Sequence, residues 1–249
     1  MSTTTHRPLP RGNDQAGIFG RVLVGVDDSP ESLEAARQVA TLATGPVTLL
    51  SAYDLTETVV GAGMAPAPPM QLDERPIRER AERALDGACQ ELAPTQPTVK
   101  IARGRPWEAL LDEIADEHHT LVAVGSHGGG RAKGILIGST ATELIHKAPC
   151  SVLIARKPLK EFPSQIAVGV DGSHEAALAG AVARDLAERF DAELARFENV
   201  ADPVKCLVEG TMGVDLLVVG SRGLHGIKAL GSVSERVAHE AKCSVLIVR

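Results

Sequence analysis

Two glycine-rich segments in this 249-residue chain carry the residue types that bind phosphate. The first follows an aliphatic run and reads Gly125-Ser-His-Gly128, then nine residues, then Gly138-Ser139. The second reads Gly220-Ser-Arg-Gly223, then seven residues, then Gly231-Ser232. A buried strand that ends in glycines and leads into a helix directs unpaired backbone N–H groups at one spot, which favours an anion. The spacing therefore predicts a phosphate-binding loop, and tight structural turns are the alternative reading.

The elements that position the first segment also predict a partner for it. In an open parallel sheet, ligands bind at the carboxyl ends of strands where the strand order reverses. Strands 1 and 4 are expected to flank that point, which places Asp27 beside the loop from Gly125 to Gly128. Ser139 is expected to cap the following helix and to offer a hydroxyl donor. The P-loop pattern and the G-x-G-x-x-G pattern after strand 1 are both absent.

An internal duplication accounts for the paired segments. Residues 146–156 match residues 239–249 at eight of eleven positions, and the segment from Val22 to Ser29 resembles that from Ile166 to Ser173. The second copy is shorter, which indicates that one β-α unit and a long loop have been deleted. We expect a tail over 1–18, a first domain over 19–158 and a shortened second domain over 164–249.

The spacing of hydrophobic residues, together with capping and chain-breaking residues, predicts alternating strands and helices in both copies. In the first, strands are expected near 20–27, 46–53, 98–102, 120–125 and 150–155, and helices near 30–43, 76–92, 106–118 and 139–147, with a long loop over 55–75. In the second, strands are expected near 165–171, 214–219 and 243–248 and helices near 174–190, 203–211 and 231–241, with a short segment over 192–199. This order predicts an α/β fold of two tandem, open, parallel-sheet domains, Rossmann-like in type, the second truncated.

The overall composition excludes several classes of function. A net charge of −6 and 2% aromatic residues argue against a nucleic-acid surface. No apolar run reaches the length of a membrane span, and no signal peptide is visible, so we expect a cytoplasmic protein without a membrane partner. The four cysteines lack metal or disulfide spacing, and Cys150 and Cys243 are expected to be small buried hydrophobes.

The chain resembles the universal stress protein family, in particular its tandem two-domain members. The resemblance rests on the Val-Gly-Val-Asp27 start, the Gly125-x2-Gly128-x9-Gly138-Ser139 loop and the Pro149-Cys-Ser-Val-Leu-Ile end, and it covers residues 18–249. It implies an ATP site of the family's nucleotide-binding branch, within an adenine nucleotide α-hydrolase-like fold. Asp27 would then face the ribose and adenine with Gly25 beside it, and Ala52 would offer its backbone to the adenine. The phosphates and ribose would be held by Gly125, Gly128, Gly138, Ser139 and Thr140.

Other residues near the loop have more than one reading. His127 can donate a hydrogen bond to a phosphate, although Arg222 stands at the matching position of the second copy. This difference indicates a position at the edge of the site that accepts different side chains. Asp27 can cap the following helix, or hold a Mg²⁺ that arrives with ATP. We interpret Asp28 as solvated and Trp107 as a packing anchor. No Ser/His/Asp or Cys/His set is indicated, so no catalytic residue is predicted.

The second copy keeps Asp171, Gly220, Gly223, Gly231 and Ser232 but loses the strand and loop that would enclose an adenine. We therefore expect it to bind nucleotide weakly or not at all.

Three hypotheses about function remain open. The favoured one is an ATP-binding stress or regulatory protein that is non-catalytic or a very slow ATPase. The second is an adenylate-handling hydrolase or transferase. The third is a ligand-free interaction scaffold that associates through strand 5, either as an internal pseudo-dimer or as a homodimer.

Overall fold

A computed structural model describes residues 17–54, 74–128, 137–198, 202–221 and 233–249 of the chain. These residues hold nine strands and seven helices, which alternate within each half of the chain. Most of the expected tail lies outside them, although Ile18 is described and packs against the core. None of the helices in these ranges is long and apolar enough to cross a membrane.

The first half of the chain, up to residue 155, forms five strands and four helices in the predicted order. The strands are β1 (Val22–Gly25), β2 (Val47–Tyr53), β3 (Thr98–Arg103), β4 (Leu121–Gly125) and β5 (Ser151–Ala155). The helices are α1 (Pro30–Leu42), α2 (Arg75–Glu91), α3 (Pro106–Glu117) and α4 (Ser139–Lys147). Three of these helices begin with proline at the first or second position, where a missing N–H costs nothing.

The second half, from residue 165, has four strands and three helices in its described residues. The strands are β6 (Gln165–Val170), β7 (Glu193–Glu198), β8 (Leu216–Gly220) and β9 (Ser244–Val248). The helices are α5 (His174–Phe190), α6 (Pro203–Gly210) and α7 (Ser234–Glu240). Serine side chains cap α1 and α5 at matching positions, Ser29 and Ser173, which fixes where both helices start.

All nine strands join one sheet in the order β3-β2-β1-β4-β5-β9-β8-β6-β7. Within each half the pairing is parallel, and β1 lies between β2 and β4 as predicted. The two halves meet where β5 and β9 pair antiparallel, with Leu153 opposite Leu246. The last strands of the two repeats, β5 and β9, therefore pair within one chain, which is the internal pseudo-dimer of the third hypothesis. Because β5 and β9 each have neighbours on both sides, strand 5 is not an edge open to a second chain.

The deletion predicted for the second half has a definite place in the sheet. β7 pairs with β6 as β2 pairs with β1, and the register sets Phe197 opposite Gly169 where Leu50 lies opposite Gly25. The described residues of the second half contain no counterpart of β3 or α2. Within the described ranges, the second half is thus shorter than the first by one strand and one helix at its outer end.

Aliphatic side chains cover both faces of the sheet, as the scarcity of aromatic residues requires. One face packs against α1, α2 and α5, and its buried cluster runs through both halves from Val22 to Val248. The other face packs against α3, α4, α6 and α7. The strands next to the meeting of the halves are buried on both sides, which explains the unbroken aliphatic runs in their sequences.

Candidate functional site

A cavity of about 800 Å³ opens at the carboxyl ends of the first-half strands. All nine residues singled out in the sequence line it: Gly25, Asp27, Ala52, Gly125, His127, Gly128, Gly138, Ser139 and Thr140. They come from β1, β2, the loop after β4 and the start of α4, which the parallel sheet brings to one end. This volume lies within the usual range of about 300–1,000 Å³ for small-molecule sites.

Asp27 is held rigidly at the end of β1. Its Oδ1 accepts hydrogen bonds from the backbone N–H of Ser29, at 3.0 Å, and from the Ser29 hydroxyl. Its backbone N–H donates to the Ser32 hydroxyl at 3.2 Å. Ser29 also donates to the carbonyl oxygen of His127 at 3.3 Å, which ties the β1 loop to the β4 loop. Ser29, and not Asp27, is the helix cap, so Asp27 orients the cap while its Oδ2 faces Gly128.

The glycines of the loop are required for different reasons. A Cβ on Gly125 would lie 2.6 Å from the carbonyl carbon of Glu31, so this glycine allows α1 to pack against β4. Gly220 meets Glu175 in the same way, at 2.7 Å, which makes both glycines structural. A Cβ on Gly128 would instead lie 2.6 Å from Asp27 Oδ2, inside the cavity.

Gly138 has no such requirement among the described residues. A Cβ there would have its nearest neighbours at 3.6 Å, and its φ of −76° suits any residue. The backbone conformation and the packing therefore leave room for a side chain. A glycine at such a position keeps the main chain open to the cavity.

The start of α4 differs from the expectation in one respect. Gly138, and not Ser139, is the N-cap residue, and Ser139 is the first residue of the helix. Because Gly138 has no side chain, the cap position supplies no acceptor for the N–H groups of the first turn. Ser139 and Thr140 line the cavity from this turn, so their backbone N–H groups and hydroxyls are placed to meet an anion.

Helix α2 forms a wall of the cavity that the sequence did not predict. Its apolar side chains Ile77, Ala81 and Ala84 line the cavity. Arg80 lines it as well and pairs with Asp28, with Nη2–Oδ2 at 2.5 Å and Nε–Oδ2 at 2.8 Å. The interpretation of Asp28 as solvated was therefore incomplete, because no local spacing links it to a helix 52 residues away. The amphipathic pattern of α2 was visible in the sequence but did not say what its apolar face contacts.

The charges around the cavity are mixed. Carboxylates line it at Asp27, Asp28 and Asp54, and Arg80 is the one arginine or lysine among the described lining residues. The side chains of Arg80 and Asp28 are 57% and 41% exposed, so their pair contributes at most about 1 kcal/mol to stability. No group of three or more His, Cys, Asp or Glu in the described part of the chain could hold a metal ion.

No nucleophile–base pair is evident at the described part of the cavity. The Ser126 hydroxyl contacts Nδ1 of His127 at 3.1 Å, but Ser126 is buried and does not line the cavity. Cys150 is buried too, and burial raises the pKa of its thiol to about 11, so it stays protonated. The expectation that Cys150 and Cys243 are small buried hydrophobes is confirmed, since both side chains are buried. The Lys147 ammonium lies 3.9 Å from the ring centroid of Trp107, and the role of Trp107 as a packing anchor stays a prediction.

The second half keeps the turn after its first strand, but its described residues do not form the cavity walls. Asp171 accepts from the backbone N–H and hydroxyl of Ser173 at 3.0 and 2.6 Å, as Asp27 does with Ser29. Phe197 occupies the sheet position of Leu50, and its ring lies 2.5 Å from where a Cβ of Gly210 would be. The described residues offer no counterpart of the α2 wall. Gly223, Gly231 and Ser232 lie outside the described residues.

Comparison with known proteins identifies relatives along the whole chain. The model of the universal stress protein family matches residues 19–156 and 195–249. Universal stress protein Rv2623 of Mycobacterium tuberculosis is 28% identical over 301 aligned positions, which cover 97% of this chain and 99% of the relative. Universal stress protein Mb2028c of Mycobacterium bovis is 29% identical over 293 positions, covering 92% and 96%. Both alignments are longer than this chain, so both relatives contain segments that it lacks.

Solved structures resemble this fold at low sequence identity. A universal stress protein from Archaeoglobus fulgidus has a TM-score of 0.69 at 18% identity, covering 93% of this chain and 96% of that one. A functionally unknown protein from Pseudomonas aeruginosa PAO1 has a TM-score of 0.66 at 16% identity, covering 95% and 94%. At such identities the likeness extends to the fold alone.

Proposed function

This chain belongs to the universal stress protein family, and on that premise we propose that it is an ATP-binding regulatory protein with one nucleotide site per chain. The single observation that carries the proposal is the cavity at the ends of β1 and β4, which is lined by all nine residues that the sequence predicted for the first-half site. Its glycine-lined main chain, the start of α4 and the fixed Asp27 lie at one end of one sheet.

Each part of the cavity has a role in this proposal. The N–H groups of the loop and of the first turn of α4 hold the phosphates, with help from the Ser139 and Thr140 hydroxyls. Asp27, fixed by Ser29, accepts hydrogen bonds from the ribose or the adenine. Ala52 and the apolar wall of α2 enclose the base.

Magnesium fits this site only as a companion of the nucleotide. The described residues form no metal site of their own, and Asp27 is already engaged by Ser29. A Mg²⁺ bound to ATP would neutralise phosphate charge beside the carboxylates of Asp27 and Asp28. We therefore expect Mg²⁺ to strengthen ATP binding without binding to the protein alone.

The second half does not bind nucleotide in this proposal. Its described residues form no strand or helix that corresponds to β3 and α2, and Phe197 fills space against α6. Val233 stands where the repeat aligns Thr140, so a hydroxyl is lost as well.

Regulation rather than turnover is the proposed activity, with hydrolysis absent or very slow. The state of the protein would then be set by nucleotide occupancy and read by a partner in a stress response. Release of pyrophosphate or phosphate with defined kinetics would instead favour an adenylate-handling enzyme. Association of two chains stays a prediction, and β3 and β7 are the outer strands of the sheet available for it.

The first experiment is mass spectrometry of the small molecule released when the purified protein is denatured. An adenine nucleotide near one equivalent per chain is expected. Thermal unfolding with added ATP gives an independent readout, because ligand at 100 times its Kd adds about 2.7 kcal/mol to stability.

Two matched variants locate the site. Gly128→Glu places a side chain against Asp27 Oδ2 and adds a negative charge, so it is expected to abolish the ATP shift. Gly223→Glu makes the same change at the corresponding position of the second repeat and is expected to leave the ATP shift unchanged. Absence of any nucleotide and of any ATP shift in the wild type would favour the ligand-free scaffold.

A further inference from the structure

The second half of the chain contacts the far end of the helix whose start forms the candidate site. From the end of β9, the backbone N–H of Arg249 donates to the Ser151 hydroxyl at 3.1 Å. Its guanidinium donates from Nη1 to the carbonyl oxygen of Cys150 at 2.9 Å and from Nη2 to that of Ile145. These carbonyls belong to the last turn of α4 and to the turn that leads into β5. Arg249 therefore binds the carboxyl end of α4, where a cation is electrostatically favoured.

Arg156 makes the equivalent contacts in the opposite direction. Its backbone N–H donates to the Ser244 hydroxyl at 3.0 Å, and its guanidinium donates to the carbonyl oxygens of Cys243, at 3.2 Å, and Ala238. Arg156 thus caps α7 of the second half as Arg249 caps α4 of the first. The duplication has produced two arginines with the same bonds, each serving the other half of the chain.

A second contact from the same side reaches α4. Nε2 of His146 lies 3.1 Å from Glu235 Oε1 on α7, with both side chains about one-third exposed. Helix α4 is thus held on the second half at Ile145, His146 and the turn before β5, while Ser139 and Thr140 line the cavity. Ile145 lies six positions after Ser139, so about 9 Å of helix joins the two ends. A helix this short moves as a rigid unit, so a shift at one end displaces the N–H groups at the other.

We propose that Arg249 is a positioning residue for the nucleotide site, through which the second half sets the place of α4. This inference rests on the proposed function. It gives the second half, which has no complete cavity, a role in nucleotide binding at the first half. Arg156 serves as the control for Arg249, because the helix that it caps, α7, has only seven residues and faces no described cavity. Ligand occupancy and the contact between the halves are then thermodynamically coupled, so each strengthens the other.

The test compares Arg249→Gln with Arg156→Gln in the full-length protein. Both variants lose the two hydrogen bonds of the guanidinium and keep the backbone bond to serine, so both are expected to lower the unfolding temperature by similar amounts. Only Arg249→Gln is expected to weaken ATP binding, by about 2- to 30-fold, the range typical of coupling through packed elements. Arg249→Lys keeps the charge and is expected to restore part of the affinity. ATP affinity is measured by calorimetry at a temperature where all variants are folded.

Hydrogen exchange provides a readout that global destabilisation does not reproduce. In Arg249→Gln the amides of α4 are expected to exchange faster than in Arg156→Gln, and in the wild type ATP is expected to slow exchange in the last turn of α4. Equal ATP affinities in the two variants, whether both unchanged or both reduced, would overturn the proposal. If Arg249→Gln fails to fold, Arg249→Lys against Arg156→Lys decides the question by the same criterion. A wild type that does not bind ATP refutes the proposed function instead, so the two failures are distinguishable.

Discussion

Replacing Gly138 by alanine separates a structural glycine from one that a ligand requires. In the structure an added Cβ would lie 3.6 Å from both His127 Cα and the Ser126 carbonyl oxygen, which is ordinary van der Waals contact. The backbone at Gly138 has φ −76° and ψ 159°, which alanine adopts without strain. The fold is therefore expected to accept the methyl group without rearrangement.

The expected change in stability is small because two effects oppose each other. Alanine is a poorer N-cap residue than glycine, which costs about 0.5–1 kcal/mol at the start of α4. Alanine also lowers the conformational entropy of the unfolded chain, which stabilises the folded state by about 0.4–1 kcal/mol. The free energy of unfolding should stay within about 1 kcal/mol of the wild type.

ATP binding should respond much more strongly to the same methyl group. A phosphate oxygen that approaches the main chain between Gly138 and Thr140 would meet the new Cβ. Loss of one hydrogen bond to a charged group costs about 1.5–3 kcal/mol, which corresponds to about 10- to 150-fold in Kd. Calorimetry with ATP, with the fluorescence of the single tryptophan Trp107 as a second signal, measures this change.

The control is Gly125→Ala, whose Cβ would lie 2.6 Å from the Glu31 carbonyl carbon in α1. Backbone cannot yield as a flexible side chain does, so this variant is expected to lose stability before any ligand is added. An alanine at 138 that binds ATP like the wild type would refute the reasoning, because nothing would then approach that main chain. An alanine at 138 that unfolds the protein would show that this glycine is structural after all.

Three further predictions address the walls of the cavity and the buried thiol. Arg80→Gln removes the cation that balances three cavity carboxylates, so calorimetry should show ATP affinity falling several-fold more than adenosine affinity. Arg78→Gln on the same helix breaks only a surface pair with Glu82 and should change neither affinity. Thr140→Val gives the first repeat the residue that the second has at Val233, and it should weaken ATP binding by about 10-fold or more, the value of one hydrogen bond to a charged group, with an unchanged melting temperature. Burial raises the pKa of Cys150 from 9.0 to about 11, so the folded state retains a proton that the unfolded state loses. Stability should fall as pH rises from about 9 to about 11, by about 3 kcal/mol from this group, and urea titrations of Cys150→Ala should show a shallower fall than the wild type.

The sequence predicted the elements of this fold well because their signals are local. Ser29-Pro30 marks the start of α1, and the structure begins that helix at Pro30 with Ser29 as its cap. The aliphatic runs before Gly125 and Gly220 correspond to β4 and β8. The repeat revealed the duplication, and the antiparallel pairing of β5 with β9 agrees with the internal form of association.

The residues at the strand ends of the candidate site were predictable from the sequence, but the wall that α2 forms was not. Residues that end parallel strands must meet at one edge of the sheet, so the order of the strands alone places Asp27 beside the loop to Gly128. The wall from α2 depends on how a helix leans over the sheet, and the pair between Arg80 and Asp28 joins segments far apart in sequence. The division into domains at residues 158 and 164 stays a prediction, as do the individual ligand contacts.

The error at Ser139 has a physical explanation. Serine next to glycine at the start of a helix is a common capping signal, and the pattern does not distinguish the N-cap from the next position. The structure moves the cap back by one residue to Gly138. Ser139 then lines the cavity from the first turn of the helix, and its hydroxyl is not used as the cap, which suits ligand binding better than a capping role would.

Native mass spectrometry of the intact chain during an ATP titration tests the central claim most directly. One ATP is expected to bind per chain at saturation, and none to Gly128→Glu at the same concentrations. Two equivalent ATP molecules per chain would contradict the asymmetry between the halves. No specific adduct in the wild type at millimolar ATP would contradict the assignment of the cavity at the ends of β1 and β4.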